Sequence, residues 1–496
     1  LTEGIVRDTL SPHDGKRIPN RVTNLLMVHG PAQVSQGDRS ASSDVTLNVE
    51  ESMTQTRWPA RHTVARAWGA LVCVTALTVL TGCGGSTAKS ASSGPVTLNV
   101  WVRAAADSQK SYQMIFDEFT KKTGVKVKVF STLTDFETKL NAAAAGRKLP
   151  DVVVDDAAQQ GNFQKLGIIR EVDRKAIAGQ KDLSDAAWKS AQDASGKYLA
   201  IPFSAQANLL FVRSDWLKKL NLKAPTNWAE MVSVAKAFTT QDPDGNGVND
   251  TYGMTIPGAT TRGYISWNWS TYLWQSGADY VNTAGGKVTP VINSAKAVEA
   301  AKWYEGLFCT DKVVQPGALN AVSADANKAF QTGVTGMYLT GPYAIRVLDA
   351  TAVKGKYEVL APPAGPANAE TLAEGTNIYM MAGSKQEKAS QQLAEFMITP
   401  AAQKIGMVGT PAASVVRLPV NTTVDAKTVY KDDPRWAMAQ QVYTASAHYE
   451  PVSMPQWQEF RQAASDTLND VISKCGDPKA ALDQLNVKYQ SLLLEK

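Results

Sequence analysis

"PDVVVDD", Pro150 to Asp156, decides the architecture. Three consecutive valines between a proline and two aspartates read as a short strand buried on both faces, which a mainly parallel sheet requires at its centre. The preceding residues supply the rest of such a sheet. "VTLNVWV", Val96 to Val102, is β-rich, and "SYQMIFDEFTKKTG" follows with Tyr112, Ile115, Phe116 and Phe119 at helical spacing. Lys121 and Lys122 in the last turn and Gly124 after it are helix-stop signals. "VKVKVF", Val125 to Phe130, alternates as a half-buried strand does, and Leu133, Phe136 and Leu140 mark a second helix ending near Gly146. Strand, helix, strand, helix, strand is the rhythm of an α/β fold. Ligands of open α/β sheets sit beyond the carboxyl ends of the strands. Asp155 and Asp156 follow such a strand directly, and Trp101 lies at the far end of the first one.

Upstream of this unit the chain changes character. Met53 opens "MTQTRWPARHTVARAW", with three arginines and no acid, and an apolar run from about Ala70 to Leu80 follows. That run is too short for the ~20 residues of a membrane-spanning helix. A basic region, a short apolar region and small residues describe a secretory signal peptide over 53–82. It ends in Leu80-Thr81-Gly82-Cys83, similar to a bacterial lipobox, so Cys83 is expected to carry lipid and 83–95 to form a flexible tether. Residues 1–52 hold no sustained period and are read as a start-site artefact or disordered leader.

The remaining chain exceeds one typical core, which predicts two lobes. With 51 Lys+Arg against 46 Asp+Glu and no basic run interleaved with aromatics, nucleic acid is not an expected partner. His448 is the one histidine beyond Cys83, and there is no Cys-Cys-His spacing or G-x-S-x-G elbow. Zinc chemistry and a Ser-His-Asp mechanism are therefore not expected. Cys309 and Cys475 form an even pair in an oxidising compartment, and are either bridged or two separate buried thiols.

Four blocks then resemble one family in the right order: "KYLAIPFSAQANLLFVRSDWLKKLNLKAPTNWAEMVSVAKAFT" (197–239), "YLWQSGADYV" (272–281), "AFQTGVTGMYLTGPYAI" (329–345) and "EGTNIYMMAGSKQEKASQQLAEFMITPAAQ" (374–403). They are similar to family 1 of the extracellular solute-binding proteins, the maltose-binding-protein-like sugar receptors of ABC importers. The resemblance implies a type II periplasmic-binding fold, two α/β lobes joined by hinge strands with the ligand between them. It puts lobe one at 96–203 and 376–412, and lobe two at 204–375 and 413–496. It also implies a monomer that is anchored by lipid on the outer face of the membrane, works with permease subunits and is not an enzyme.

A sugar offers apolar C–H faces and edges crowded with hydroxyls, so its site needs aromatic platforms, acceptors and forked donors. "YISWNWSTYLWQSG", Tyr264 to Gly277, concentrates aromatics, of which Trp267 and Trp269 are expected to face the ligand. The family pattern further nominates Trp101, Asp155, Asp156, Gln159, Asn208, Tyr343, Glu374, Asn377, Arg417 and Trp457. The aspartates would accept from hydroxyls and Arg417 would donate in a fork, although "DDAAQQ" also reads as a helix cap. An α-linked di- or oligosaccharide such as maltose or trehalose is the expected ligand. The rival readings are a secreted glycoside hydrolase using Asp155 and Glu374, or the same fold carrying another solute. Asp242, Asp244, Asn246, Val248 and Asp250 match positions of a calcium loop, but Gly253 replaces the bidentate glutamate. That loop either holds Ca2+ with help from a remote carboxylate or is an Asx-rich turn. No other cofactor is expected.

Overall fold

The computed structural model describes residues 96–284 and 287–494. The leader 1–52, the signal segment 53–82, Cys83 and the tether 83–95 lie outside them. Two sheets and a short ribbon organise the described chain. The first sheet contains β1 (Thr97–Arg103), β2 (Lys126–Thr132), β3 (Val152–Asp156), β4 (Ile201–Ala207), β11 (Thr371–Met380), β12 (Leu418–Pro419) and β13 (Ala447–Tyr449). Its order is β12-β4-β11-β3-β1-β2, with β13 paired to β11. The second sheet contains β5 (Leu209–Arg213), β6 (Tyr252–Thr255), β9 (Thr335–Thr340) and β10 (Tyr357–Leu360), ordered β10-β5-β9-β6. β7 (Val281–Asn282) and β8 (Thr289–Pro290) form the ribbon.

The opening unit folds as its periodicity predicts. β1 runs parallel to both β2 and β3, and Leu98, Val100, Val102 and Val152 to Val154 are buried. Helix Ala106–Thr123 covers them with Tyr112, Ile115, Phe116 and Phe119. It ends because Gly124, at φ +76°, turns its N–H back to the Thr120 carbonyl, a conformation glycine adopts without strain.

The chain crosses between the sheets in single steps. Asn208 alone separates β4 from β5, and β11 carries the chain back with a register shift at Thr376/Asn377. The 203/204 and 375/376 boundaries expected from the resemblance therefore fall inside β4 and β11. After 412 the chain meets the first sheet again. β12 pairs with β4, and Trp436, Ala439 and Val442 of helix Pro434–Ser446 pack into a core that gathers residues of both sheets, Phe203 of β4 and Phe211 of β5 among them.

A second core gathers Trp216, Phe238, Trp269, Trp274, Tyr304, Trp457, Phe460 and Tyr489. A disulfide between Cys309 and Cys475 ties the end of helix Ala295–Cys309 to the residue capping helix Trp457–Lys474. The bridge spans a sequence separation of 166, so it removes many unfolded arrangements. Replacing both cysteines with serine is expected to lower stability by about 2–4 kcal/mol, read as a fall in urea midpoint, with a higher m-value because the unfolded chain becomes less compact. Among the described residues, no helix is long and apolar enough to cross a membrane.

Candidate functional site

The carboxyl ends of β1 and β3 and the crossing strands β4 and β11 meet at one place. Register puts Asp156 opposite Thr376, Asp155 opposite Asn377, and Gln206 opposite Glu374. A narrow cavity of about 10 Å³ lies there, lined by Asp156, Ser204, Gln206, Glu374, Thr376 and Arg417. Larger hollows lie elsewhere, for instance beside Asp151 and Arg170, but those two residues are away from the strand carboxyl ends. Ligand pockets usually hold roughly 300–1,000 Å³.

An ion network crosses the cleft. Arg103 at the end of β1 donates to Asp156 (3.3 Å), and Arg262, from the second lobe, donates to the same carboxylate (2.9 Å) and to Glu137. Arg262 holds φ +56° and is followed by Gly263 at +75°. A non-glycine residue is strained there, a condition that clusters at ligand clamps. Behind the network, Glu450 accepts from the Trp457 indole (3.2 Å) and lies 3.5 Å from Arg461 Nε. Gln206 donates to Glu374 (2.7 Å), and Arg417 to Thr376 Oγ1 (3.2 Å).

Adjacent carboxyl groups acquire opposite tendencies. Burial, reinforced by the charges of Asp156 and Glu137, pushes Asp155 well above the carboxylate range. Burial would raise Asp156 too, but Arg103, Arg262, Arg417 and Arg461 together hold it below its ordinary value. Burial and the Asp156 charge raise Glu374, and burial lifts Glu450 to about 7 against the pull of Arg461. Two states thus coexist on one floor: Asp156 as a fixed acceptor, and Asp155 and Glu374 inclined to keep a proton and donate.

Of the residues expected to bind ligand, Asp156, Glu374 and Arg417 line the cavity. Asp155, Gln159, Asn208 and Asn377 are buried beside it on or next to β3, β4 and β11. Asn377 spends its amide on the Ser190 carbonyl. Tyr343 places its ring 5.9 Å from the Arg417 guanidinium carbon. Trp101 packs against Phe130 and Phe136.

The tryptophan platforms are corrected. Helix Tyr264–Gln275 is buried all round from Ile265 to Gln275, so Trp267 and Trp269 belong to the second core. Trp269 packs edge-on to Tyr280, which also receives Trp457. A helix buried on every side, its polar Ser266, Asn268, Ser270, Thr271 and Gln275 included, presents no open face. His448 stacks on Trp274 at 4.1 Å and contacts Glu370. Sequence reasoning missed Arg103, Glu137, Gln206, Arg262, Glu450 and Arg461; the strained Arg-Gly pair gave no local signal.

In the Asp242 loop the carboxylate of Asp242 accepts the N–H groups of Gly245, Asn246 and Gly247, and the Asn246 amide donates to Asp244 and Asp250. These are Asx-turn bonds. Among the described residues, no three of the loop's carboxylates bring oxygens within 4.8 Å of one another.

Residues 114–439 match the bacterial extracellular solute-binding protein family. The chain belongs to that family. A probable ABC transporter-binding protein of Deinococcus radiodurans is 25% identical over 389 residues, 74% of this chain and 87% of that protein. Among solved structures, an ABC-transporter solute-binding protein from Thermotoga lettingae bound with α-D-tagatose superposes with TM-score 0.71 at 18% identity, covering 80% of this chain and all of the other. The GacH receptor of Streptomyces glaucescens, solved without ligand and with acarbose, gives 0.70 at 22% identity, over 81% of this chain and all of that one. This solute-binding protein therefore has the two-lobed α/β fold of the periplasmic-binding class. It is the substrate-binding component of an ABC transporter and works outside the cytoplasm.

Proposed function

We propose that this solute-binding protein grips a short saccharide between its lobes and delivers it unaltered to its permease. The observation that supports this is a set of unspent polar atoms around the cleft. Asp155 Oδ2, Gln206 Oε1, Asn208 Nδ2 and Arg417 Nε are buried without a hydrogen-bond partner. Leaving such atoms unpaired costs about 1–3 kcal/mol each. Donors interleaved with acceptors are what vicinal hydroxyl groups satisfy, since each hydroxyl both gives and accepts. The placement of Trp267, Trp269 and Trp457 in the second core favours one or two sugar rings over a long chain, with the α-linked disaccharides expected above at the upper end.

Closure follows from the crossings at Asn208 and β11. Ligand bridging the lobes favours the closed arrangement over the open one, and the permease would read the closed form. Titration of intrinsic tryptophan fluorescence with a panel of mono- and disaccharides tests the reading, with chromatography of the recovered ligand. A saturable change with one sugar, returned intact, is the expected result. Cleaved product would favour a glycosidase working through Asp155 and Glu374, and no response to any sugar would remove the carbohydrate assignment.

Cys83 is the proposed lipid attachment site. Cys83→Ala, expressed in a bacterial host that processes lipoproteins, is expected to move the protein from the membrane fraction to the soluble exported fraction. Membrane retention of the variant would contradict lipid anchoring.

A further inference from the structure

Guanidinium groups and carboxylates around the cleft do not match one for one. Arg103 and Arg262 are engaged by Glu137 and Asp156, and Arg461 lies against Glu450. Arg417 differs. It gives one N–H to the Thr376 hydroxyl and keeps Nε buried without a partner. Among the described residues no ion pair within 4.0 Å includes it, although it borders the cavity.

A half-buried guanidinium with no carboxylate in hydrogen-bond reach is costly, and its planar fork matches a carboxylate through two parallel hydrogen bonds. Asp156 borders the same cavity and its charge acts on Arg417 from beyond 4.0 Å, but its carboxylate is engaged by Arg103 and Arg262, and the other two carboxyl groups are poorly placed to pair with Arg417. Glu374 accepts from Gln206, and Asp155 directs Oδ1 to the Asp156 N–H. Burial also inclines both to hold a proton, which removes the compensating charge. Tyr343 covers one side of Arg417, so the guanidinium has an aromatic face beside it and the cavity before it.

We propose that the cleft selects a saccharide bearing a carboxylate, a uronic-acid sugar, and that Arg417 receives that carboxylate. This rests on the saccharide reading above. The ring hydroxyls would meet Asp156, Gln206 and Asn208 while the acid occupies the fork.

Calorimetric titration of matched pairs at pH 7 tests it: galacturonate against galactose, glucuronate against glucose, and the corresponding acidic and neutral disaccharides, with glucosamine as a cationic comparison. The acidic member is expected to bind at least ~10-fold tighter in one pair, a tenfold step corresponding to about 1.4 kcal/mol. Arg417→Gln and Arg417→Lys are expected to reduce that ratio below about 3, because lysine keeps the charge but not the fork. Thermal melts of both variants establish that they fold, and Lys, the milder change, carries the test should Gln fail to. Equal or tighter binding of neutral or amino sugars, or a ratio that survives in a folded variant, overturns the carboxylate assignment and leaves the saccharide reading standing. If no sugar binds at all, both fall together.

Discussion

Gly161→Val is expected to lower ligand affinity by about 100-fold or more, near 2.7 kcal/mol, while both lobes remain folded. Gly161 lies on helix Gln160–Lys165, packed with the first sheet, and faces the chain that leads into helix Trp457–Lys474 of the second core. A Cβ at this position would stand 2.3 Å from the Met454 carbonyl oxygen and 3.0 Å from Pro455 Cα. Real Cβ atoms do not approach backbone so closely, and the obstructing atoms are not the end of a flexible side chain. Around it the lobes are joined by Gln458 donating to the Ala158 carbonyl and by Lys165 with Glu459 at 2.7 Å. A branched side chain there is a wedge in the seam. Small-angle scattering should show that ligand no longer reduces the radius of gyration, with Gly161→Ala giving a smaller effect in the same direction. Full affinity and normal compaction in the valine variant would show that the seam does not govern closure.

Glu450 should make stability fall as pH rises from 5.5 to 8. Its side chain is 3% exposed, accepts from Trp457 and lies beside Arg461, yet burial lifts it from 4.5 to about 7. The folded state then holds a proton that the unfolded chain has released. Its stabilising contribution is fully present below about pH 4.5 and is lost as pH climbs through about 7. The whole shift corresponds to about 3 kcal/mol, of which about 2 kcal/mol falls between pH 5.5 and 8. Asp155 and Glu374 act in the same direction and Asp156 in the opposite one, so a variant must isolate the contribution. Glu450→Gln retains an acceptor for Trp457 but cannot titrate. Urea denaturation at a series of pH values should show wild type losing about 2 kcal/mol more than the variant across that window. Parallel profiles would mean that Glu450 does not carry the pH dependence.

The difference between the two tryptophan readings is instructive. "YISWNWSTYLWQSG" has no polar stripe, and an aromatic run looks the same whether it faces sugar or core. Trp269 went to the core because Tyr280, from the turn after the helix, and Trp457, nearly 190 positions on, complete an aromatic cluster around it. Aspartates at the end of a buried strand were more legible, since the end of β3 is a fixed place in any open α/β sheet.

Sequence by itself determined the opening β-α-β-α-β unit, the two-lobed family and the position of Asp155 and Asp156, because each is written in local periodicity or in ordered blocks. Tertiary structure alone decided that Arg103, Glu137, Asp156 and Arg262 share one ion network, that helix Pro434–Ser446 joins a core shared by both sheets, and that among the described residues Arg417 makes no ion pair within 4.0 Å. The physical reason is separation along the chain. Arg262 lies 106 positions from Asp156 and 125 from Glu137, and charges so distant acquire a relation only when two sheets bring them within a few ångströms.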